Sequence, residues 1–275
     1  MTTAAGLMTQ AAVLPNGVTL EYVEQGDRHG VPVLLLHGVT DSWRSFEPVL
    51  PHLPRSVRAV AVSQRGHGRS SRPAAGYRFA DFADDLVLFM DTLRIARAVI
   101  VGHSMGGGVA QRFAIEHPDR TIGVVLAGTS PGMRGNPAVI EFWQNGVSTL
   151  TDPISRDFAL AFQESTIAEP IPAAMLDTFV AESLVVPAHV WKAAFAHFLE
   201  FDGRAELARL TAPALIVWGD RDSVTGRADQ DALTAAIAGA RLVVYGGTGH
   251  AVHWEQPQRF AGDVMAFIHQ LGDRR

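Results

Sequence analysis

The sequence predicts an α/β protein, a mostly parallel, doubly wound sheet with a helical cap. Three observations carry that reading. Short runs rich in β-branched residues alternate with longer runs of helical spacing, as strands joined by crossover helices do. Several of the short runs are apolar throughout, which is the pattern of strands covered on both faces. Residues 131–208 break the rhythm with helical segments and no convincing strand. At 275 residues, with 47% hydrophobic and 19% charged side chains, the composition suits one domain around a single core.

Taken in order, "VTLEYVEQG" (18–26) alternates as a half-exposed strand, and "VPVLLLHG" (31–38) is a continuous apolar run. Strands follow at 56–62, 97–102, 121–128, 212–219 and 240–246. Helices are expected at 42–53, 79–93, 105–117, 228–237 and 257–271, with Glu255 and Pro257 as first-turn residues of the last one. Between 131 and 208 the helical segments open near Pro137, Pro153, Pro172 and Pro187. Because this insertion begins and ends beside strands, residues 1–130 and 209–275 read as the core domain and 131–208 as a cap, or lid, upon it.

Several function classes fall away on composition. A net charge of −5 without any block of like charges offers no footprint for nucleic acid or for an anionic membrane surface. Cysteine is absent, so thiolate chemistry is excluded. Lys192 is the sole lysine, leaving little for P-loop or Schiff-base chemistry. The N-terminus shows no basic region followed by an apolar one, and no uncharged run approaches the ~20 residues of a membrane span, so a soluble cytoplasmic protein is expected. His253 follows His250 by three residues, but metal-ligand spacing is missing, so neither metal nor cofactor is expected. Oligomeric state is not legible.

Ligands of open α/β sheets bind beyond the carboxyl ends of the strands. The residues found there are His37-Gly38-Val39-Thr40, Gly102-His103-Ser104-Met105-Gly106, Gly219-Asp220-Arg221-Asp222 and, last, "GGTGH" ending at His250. Serine, acid and histidine arrive in that order. A nucleophile on a sharp strand-to-helix turn sits in a strained backbone, costing on the order of 1–3 kcal/mol, and its neighbours two before and two after come close together. Gly102 and Gly106 fit that need, while Gly107 and Gly108 would let the next helix approach the sheet. A nucleotide loop is disfavoured, since G-x-G-x-x-G spacing is absent and no lysine follows.

The elbow "GHSMG", the strand-ending "HGV", the loop "RGHGRS" (65–70), the "GDRD" turn and the late "GTGH" together resemble the α/β-hydrolase superfamily over essentially the whole chain. The resemblance implies an eight-stranded sheet with a lid after the sixth strand. Two departures stand out: Ser63 occupies a position where many relatives carry Asp, and the acid turn lacks the proline that often follows it. Roles follow from acyl transfer. Ser104 needs a base, and His250 is the candidate; a carboxylate must hold that imidazole in one tautomer. Asp222 matches the family pattern G-x-x-D, and Asp220 is left to organise the turn. The "GTSPG" turn (128–132) holds no acid that could replace it. The backbone N–H groups of Met105 and Val39 are the implied oxyanion hole.

His37, Gly38, Thr40, His103, Trp143, Trp191 and Val224 are the expected pocket residues, with Trp43 a further candidate. Phe158, Phe162, Phe195 and Phe198 punctuate the cap, where one or two should face the nucleophile. His103 and His67 are expected to pack rather than to react. The expected partner is a small ester or lactone with an apolar acyl group, and small lactonases that open N-acyl-homoserine lactones are similar in size and layout. A serine nucleophile disfavours dehalogenase and epoxide-hydrolase chemistry, which use aspartate. A carbon–carbon bond hydrolase, a cofactor-free perhydrolase and a hydrolase-derived small-molecule sensor remain as alternatives.

Overall fold

The computed structural model describes residues 6–272. Eight strands form one sheet in the order β1-β2-β4-β3-β5-β6-β7-β8: β1 (Gln10–Val13), β2 (Thr19–Gly26), β3 (Val31–Leu36), β4 (Val57–Val62), β5 (Ala98–His103), β6 (Thr121–Ala127), β7 (Ala214–Gly219) and β8 (Arg241–Tyr245). From β4 onward every neighbouring pair is parallel, and β2 alone runs antiparallel to its neighbours β1 and β4. β1 was not expected from the sequence. It is a short edge strand, mostly exposed, so it carries no apolar run by which to be read.

The helices are α1 (Phe79–Thr92), α2 (Met105–Glu116), α3 (Pro137–Asn145), α4 (Arg156–Glu164), α5 (Ala173–Leu184), α6 (Ala188–Glu200), α7 (Arg227–Ala236), α8 (Val252–Glu255) and α9 (Pro257–Gly272). The all-apolar strands feed two core layers in strict alternation. Leu34, Leu36, Val60, Ile100, Leu126 and Ile216 share a layer with α1, α2 and α7, while Val33, Leu35, Ala61, Val99, Val125 and Val217 share one with α9 and the segment after β3. Each fully buried aliphatic side chain contributes about 1.5–3 kcal/mol by leaving water, so this pattern fixes the register of the central strands. β2 is more enclosed than its alternation suggested. Tyr22 meets the edge of the Phe89 ring on one face, and Val23 enters the other layer.

Three expectations need correction. Residues 42–53 do not form an α-helix but two short 3₁₀ turns, Trp43–Phe46 and Leu50–His52, because Pro48 and Pro51 remove the N–H groups an α ladder requires. Glu255 belongs to the separate helix α8, and its carboxylate accepts from the N–H groups of Gly249, Ala168 and Glu169 rather than opening α9. Gly108 faces the Phe79 ring of α1, 2.2 Å from where a Cβ would stand, rather than the sheet.

Helices α3 to α6 follow β6 and precede β7, and no strand lies among them. The entry and exit of this segment are tied together: Met133 and Arg134 donate their N–H groups to the carbonyl of Phe201, and Gly203 donates to that of Pro131. Its interior is aromatic, with Phe142 stacked on Phe158 and Phe162, and Trp191 edge-on to both of the latter. No single helix among the described residues is long and apolar enough to cross a membrane.

Candidate active site

β5 ends in His103, α2 begins at Met105, and Ser104 between them has φ 50° and ψ −115°. A residue with a Cβ is strained there by about 1–3 kcal/mol, and the surroundings must hold it. They do so through hydrogen bonds: the Ser104 N–H donates to Ala127 at 2.9 Å, and the Thr129 hydroxyl donates to the Ser104 carbonyl at 3.0 Å. The glycines are there for space. A Cβ on Gly102 would stand 2.1 Å from the carbonyl oxygen of Gly106, and one on Gly106 would stand 2.2 Å from that of Leu36. Gly107 faces the Thr129 side chain at 2.6 Å in the same sense.

The turn after β7 and the loop after β8 bring a carboxylate to an imidazole. Nδ1 of His250 lies 2.9 Å from Oδ2 of Asp222, and both side chains are almost wholly buried. Asp222 also accepts from the N–H groups of Val224 (2.8 Å) and Thr225 (2.9 Å) and from the Thr225 hydroxyl (2.6 Å). Burial pushes its carboxyl up, but the charge of His250 and these hydrogen bonds outweigh burial and hold it below the usual carboxylate value. Asp220 does something else. Its Oδ1 accepts from the Gly247 N–H at 2.7 Å and so fastens the turn to the loop after β8.

Ser104 and His250 line one cavity of about 420 Å³, together with Val39, Val224 and side chains of the inserted helices. Phe142, Phe162, Phe195, Phe198, Met133 and Val139 make its walls mostly apolar. Close packing of Gly106 on Leu36 and His37 sets the start of α2 against the end of β3. Among the described residues, the N–H groups of Met105 and Val39 donate to no protein acceptor, which leaves one free backbone donor on the residue after the serine and one on a residue lining the same cavity.

Of the expected pocket residues, Val224 lines the cavity and the others do not. The His37 ring is fully buried, with Nε2 accepting from the Gln64 N–H and Nδ1 on the Gly38 carbonyl. Burial and the neighbouring His67 push its pKa well down, so it stays neutral. Gly38 is pressed against His103, whose ring nitrogen would lie 3.0 Å from an added Cβ. Thr40 is buried with its hydroxyl 3.0 Å from that of Ser183, and Trp43 is packed in the core on the α9 side. His103 sits behind the elbow, where Nε2 meets the His250 carbonyl at 3.1 Å and burial lowers its pKa to about 3. Trp191 is wholly enclosed among Phe158, Phe162 and Phe195, and Trp143 lies outside the lining. Ser63 accepts from the Trp43 N–H and donates to Glu21, a bridging role within the core that its position in the loop did not announce. Phe142, Met133 and Val139 were missed. They lie in and just before α3, where apolar residues at helical spacing look alike whether they face a core or a cavity.

The family model for the alpha/beta hydrolase fold matches residues 31–257. A non-heme chloroperoxidase of Streptomyces lividans is 30% identical, over 92% of this chain and 97% of its own. A 2-hydroxymuconate semialdehyde hydrolase of a Pseudomonas species is 31% identical, over 87% of each. Among solved structures, Est816, described as an N-acyl homoserine lactone degrading enzyme, superposes with a TM-score of 0.78 at 29% identity, covering 93% of this chain and 99% of that one. An eight-stranded sheet in this order, with a serine on the β5–α2 turn and a family match over most of the length, leads to one conclusion: the chain belongs to the α/β-hydrolase family.

Proposed function

We propose that the protein is a serine hydrolase of carboxylic esters or lactones, with Ser104 as nucleophile, His250 as general base and then acid, and Asp222 as the group that orients His250. The observation that carries this reading is His250, paired with Asp222, lining the same apolar cavity as the strained Ser104. His250 takes the hydroxyl proton as Ser104 Oγ attacks the substrate carbonyl. The tetrahedral oxyanion takes hydrogen bonds from the N–H groups of Val39 and Met105, each worth roughly 3–4 kcal/mol in the transition state. His250 then gives its proton to the departing alcohol oxygen, leaving an acyl-serine. Water, deprotonated by His250, attacks that ester, releases the acid and restores Ser104. Asp222 stays ionised throughout and stabilises the imidazolium.

The helical insertion acts as the cap in this reading, and Phe142, Phe162 and Phe195 receive the acyl group. Glu141 is the one carboxylate among the residues lining the cavity, and no arginine or lysine joins it. Such a lining favours a neutral acyl chain over the charged ring-cleavage products that a carbon–carbon hydrolase must hold. A cavity of about 420 Å³ is large enough for a medium-length acyl chain with a lactone ring, which brings N-acyl-homoserine lactones within the substrate class.

The deciding experiment is hydrolysis of p-nitrophenyl esters from acetate to decanoate beside acyl-homoserine lactones of matching length, for wild type and Ser104→Ala. Turnover by the wild type and none by the variant is the expected result, and the ratio of kcat/KM values ranks ester against lactone. Lactone opening at the background rate removes the acyl-homoserine lactone assignment. A wild type silent on all of them while cleaving a vinylogous 1,5-diketone would overturn the ester reading in favour of carbon–carbon cleavage.

A further inference from the structure

A buried polar chain connects the inserted helices to the loop that carries Val39. Gln163 of α4 is almost wholly buried, and its Nε2 donates to Oδ1 of Asp41 at 3.1 Å and to Oγ of Ser183, on α5, at 2.7 Å. The Ser183 hydroxyl in turn meets that of Thr40 at 3.0 Å. The second oxygen of Asp41 accepts from Ser45 at 3.1 Å, and Ser45 Oγ lies 2.9 Å from Nε2 of His253, three residues past His250. Trp254 Nε1 donates to Ser45 as well. Two helices of the insertion, the loop after β3 and the segment after His250 are thus joined in one hydrogen-bonded chain.

The backbone it grips is strained. Thr40 has φ 69°, a left-handed conformation that a β-branched residue adopts only when its surroundings impose it. Thr40 and Asp41 directly follow Val39. Turning Thr40 back to an ordinary φ while Asp41 stays in place would swing the peptide between Val39 and Thr40 and carry Val39 along with it, displacing the Val39 N–H, which lies in the preceding peptide. The side chains that oppose this turn come from α4 and α5.

We infer that Gln163, together with Ser183 and Asp41, is a positioning residue for the oxyanion site: the inserted helices hold Thr40 in its strained conformation, and the Val39 N–H is presented only while α4 and α5 are seated. The insertion then does more than cover substrate, since seating it assembles one of the two oxyanion donors. This inference rests on the reading of Ser104 as nucleophile and Val39 as oxyanion donor. Burial pushes the Asp41 carboxyl up to about 7, so a neutral amide there can take over its part in the chain.

The test uses the full chain and two probes that report the oxyanion site: a fluorophosphonate, whose phosphoryl oxygen enters it during labelling of Ser104, and an aliphatic trifluoromethyl ketone, which forms a reversible tetrahedral adduct. Gln163→Leu is expected to lower kcat and the labelling rate about 10²-fold, the scale of losing one oxyanion donor. The Ki of the ketone should rise by a similar factor while KM changes less than about threefold. Asp41→Ala should behave in the same way, and Asp41→Asn should recover most of the loss. If Gln163→Leu does not yield folded protein, Ser183→Ala, which deletes a single hydroxyl from the same chain, is read instead, with about a tenfold fall expected. A change confined to KM, or labelling of Gln163→Leu at the wild-type rate, overturns the inference while leaving the serine reading intact. A wild type that the fluorophosphonate does not label overturns both.

Discussion

Asp222 divides its carboxylate between a side chain and the backbone: Oδ2 lies 2.9 Å from Nδ1 of His250, and Oδ1 accepts from the N–H groups of Val224 and Thr225 two and three residues on. The backbone half fixes where the acid stands, and the other half reaches across the cleft between the β7 and β8 loops. Asp220, two residues earlier, bonds only within that loop pair.

That difference separates the two acids experimentally. Asp222→Asn would offer His250 a partner that cannot stabilise an imidazolium and that favours the wrong tautomer, so kcat is expected to fall about 10⁴-fold. Asp220→Asn, which keeps an oxygen for the Gly247 N–H, should lose less than about tenfold. Steady-state kinetics on one ester decide it, and equal losses at both positions would remove Asp222 from its assigned role.

Strain at the elbow can be measured through stability. Ser104→Gly and Ser104→Ala should both be inactive, but only glycine relieves the φ of 50°. Urea unfolding should find Ser104→Gly more stable than Ser104→Ala by about 1 kcal/mol or more. Equal midpoints would mean the backbone is not strained.

The elbow glycines should tolerate nothing larger. Gly102→Ala puts a methyl 2.1 Å from the Gly106 carbonyl oxygen, backbone against backbone, with no flexible side chain to yield. Expected outcomes are a stability loss of about 3 kcal/mol or more and no turnover. Gly262→Ala, in open space on α9, should instead leave the urea midpoint unchanged or slightly raised.

Acid should weaken the fold well before carboxylates of ordinary pKa titrate. His37, His67, His103 and His253 are fully buried, and burial depresses all four, His67 to about 4 and His103 to about 3. A histidine neutral in the folded state takes up a proton on unfolding below about 6.5, so the unfolded chain binds more protons and stability falls as pH drops. His67 alone should cost on the order of 2 kcal/mol by pH 5, an amount set by the gap between 6.5 and about 4. Asp41, raised by burial to about 7, works in the opposite sense, since its folded form keeps a proton that the unfolded form releases above about 4. Burial raises the Glu182 and Glu255 carboxyls in the same sense as Asp41, and it lowers the half-buried His197 like the other four imidazoles; the four fully buried rings outweigh the three carboxyls and leave the net slope upward. Urea midpoints at pH 7, 6 and 5 should decrease in that order, and a flat profile would show that these rings are solvated.

Much of the framework of the candidate site is written locally. Gly102, Ser104 and Gly106 advertise a strand-to-helix turn because no other residue types fit within about 2 Å of facing carbonyl groups. All-apolar runs mark the central strands because both of their faces are buried. β1 stayed hidden for the converse reason: an exposed edge strand has no burial to record in its side chains. The 3₁₀ turns after β3 were misread as a helix although Pro48 and Pro51 stood in plain view, because the apolar spacing between them still has a helical period.

The pocket divides along the same line. Ser104, Asp222 and His250 are proposed from the sequence because each follows a strand of a sheet whose carboxyl edge gathers such residues, and the structure brings Asp222 to His250. Trp143 and Trp191 were placed in the cavity and Phe142 was not, because an apolar residue on an inserted helix has the same pattern whether it meets another helix or an opening. Gln163 carries only a faint sign of its own, a polar residue on the buried side of an otherwise apolar turn. Its partners, Asp41 and Ser183, are 122 and 20 residues away, and only the packing of α4 and α5 over the loop after β3 brings the three within hydrogen-bonding distance. Backbone strain and strand burial act on neighbours in the chain and so leave their mark in sequence. The cavity lining and the buried polar chain depend on long-range packing, which the tertiary structure alone decides.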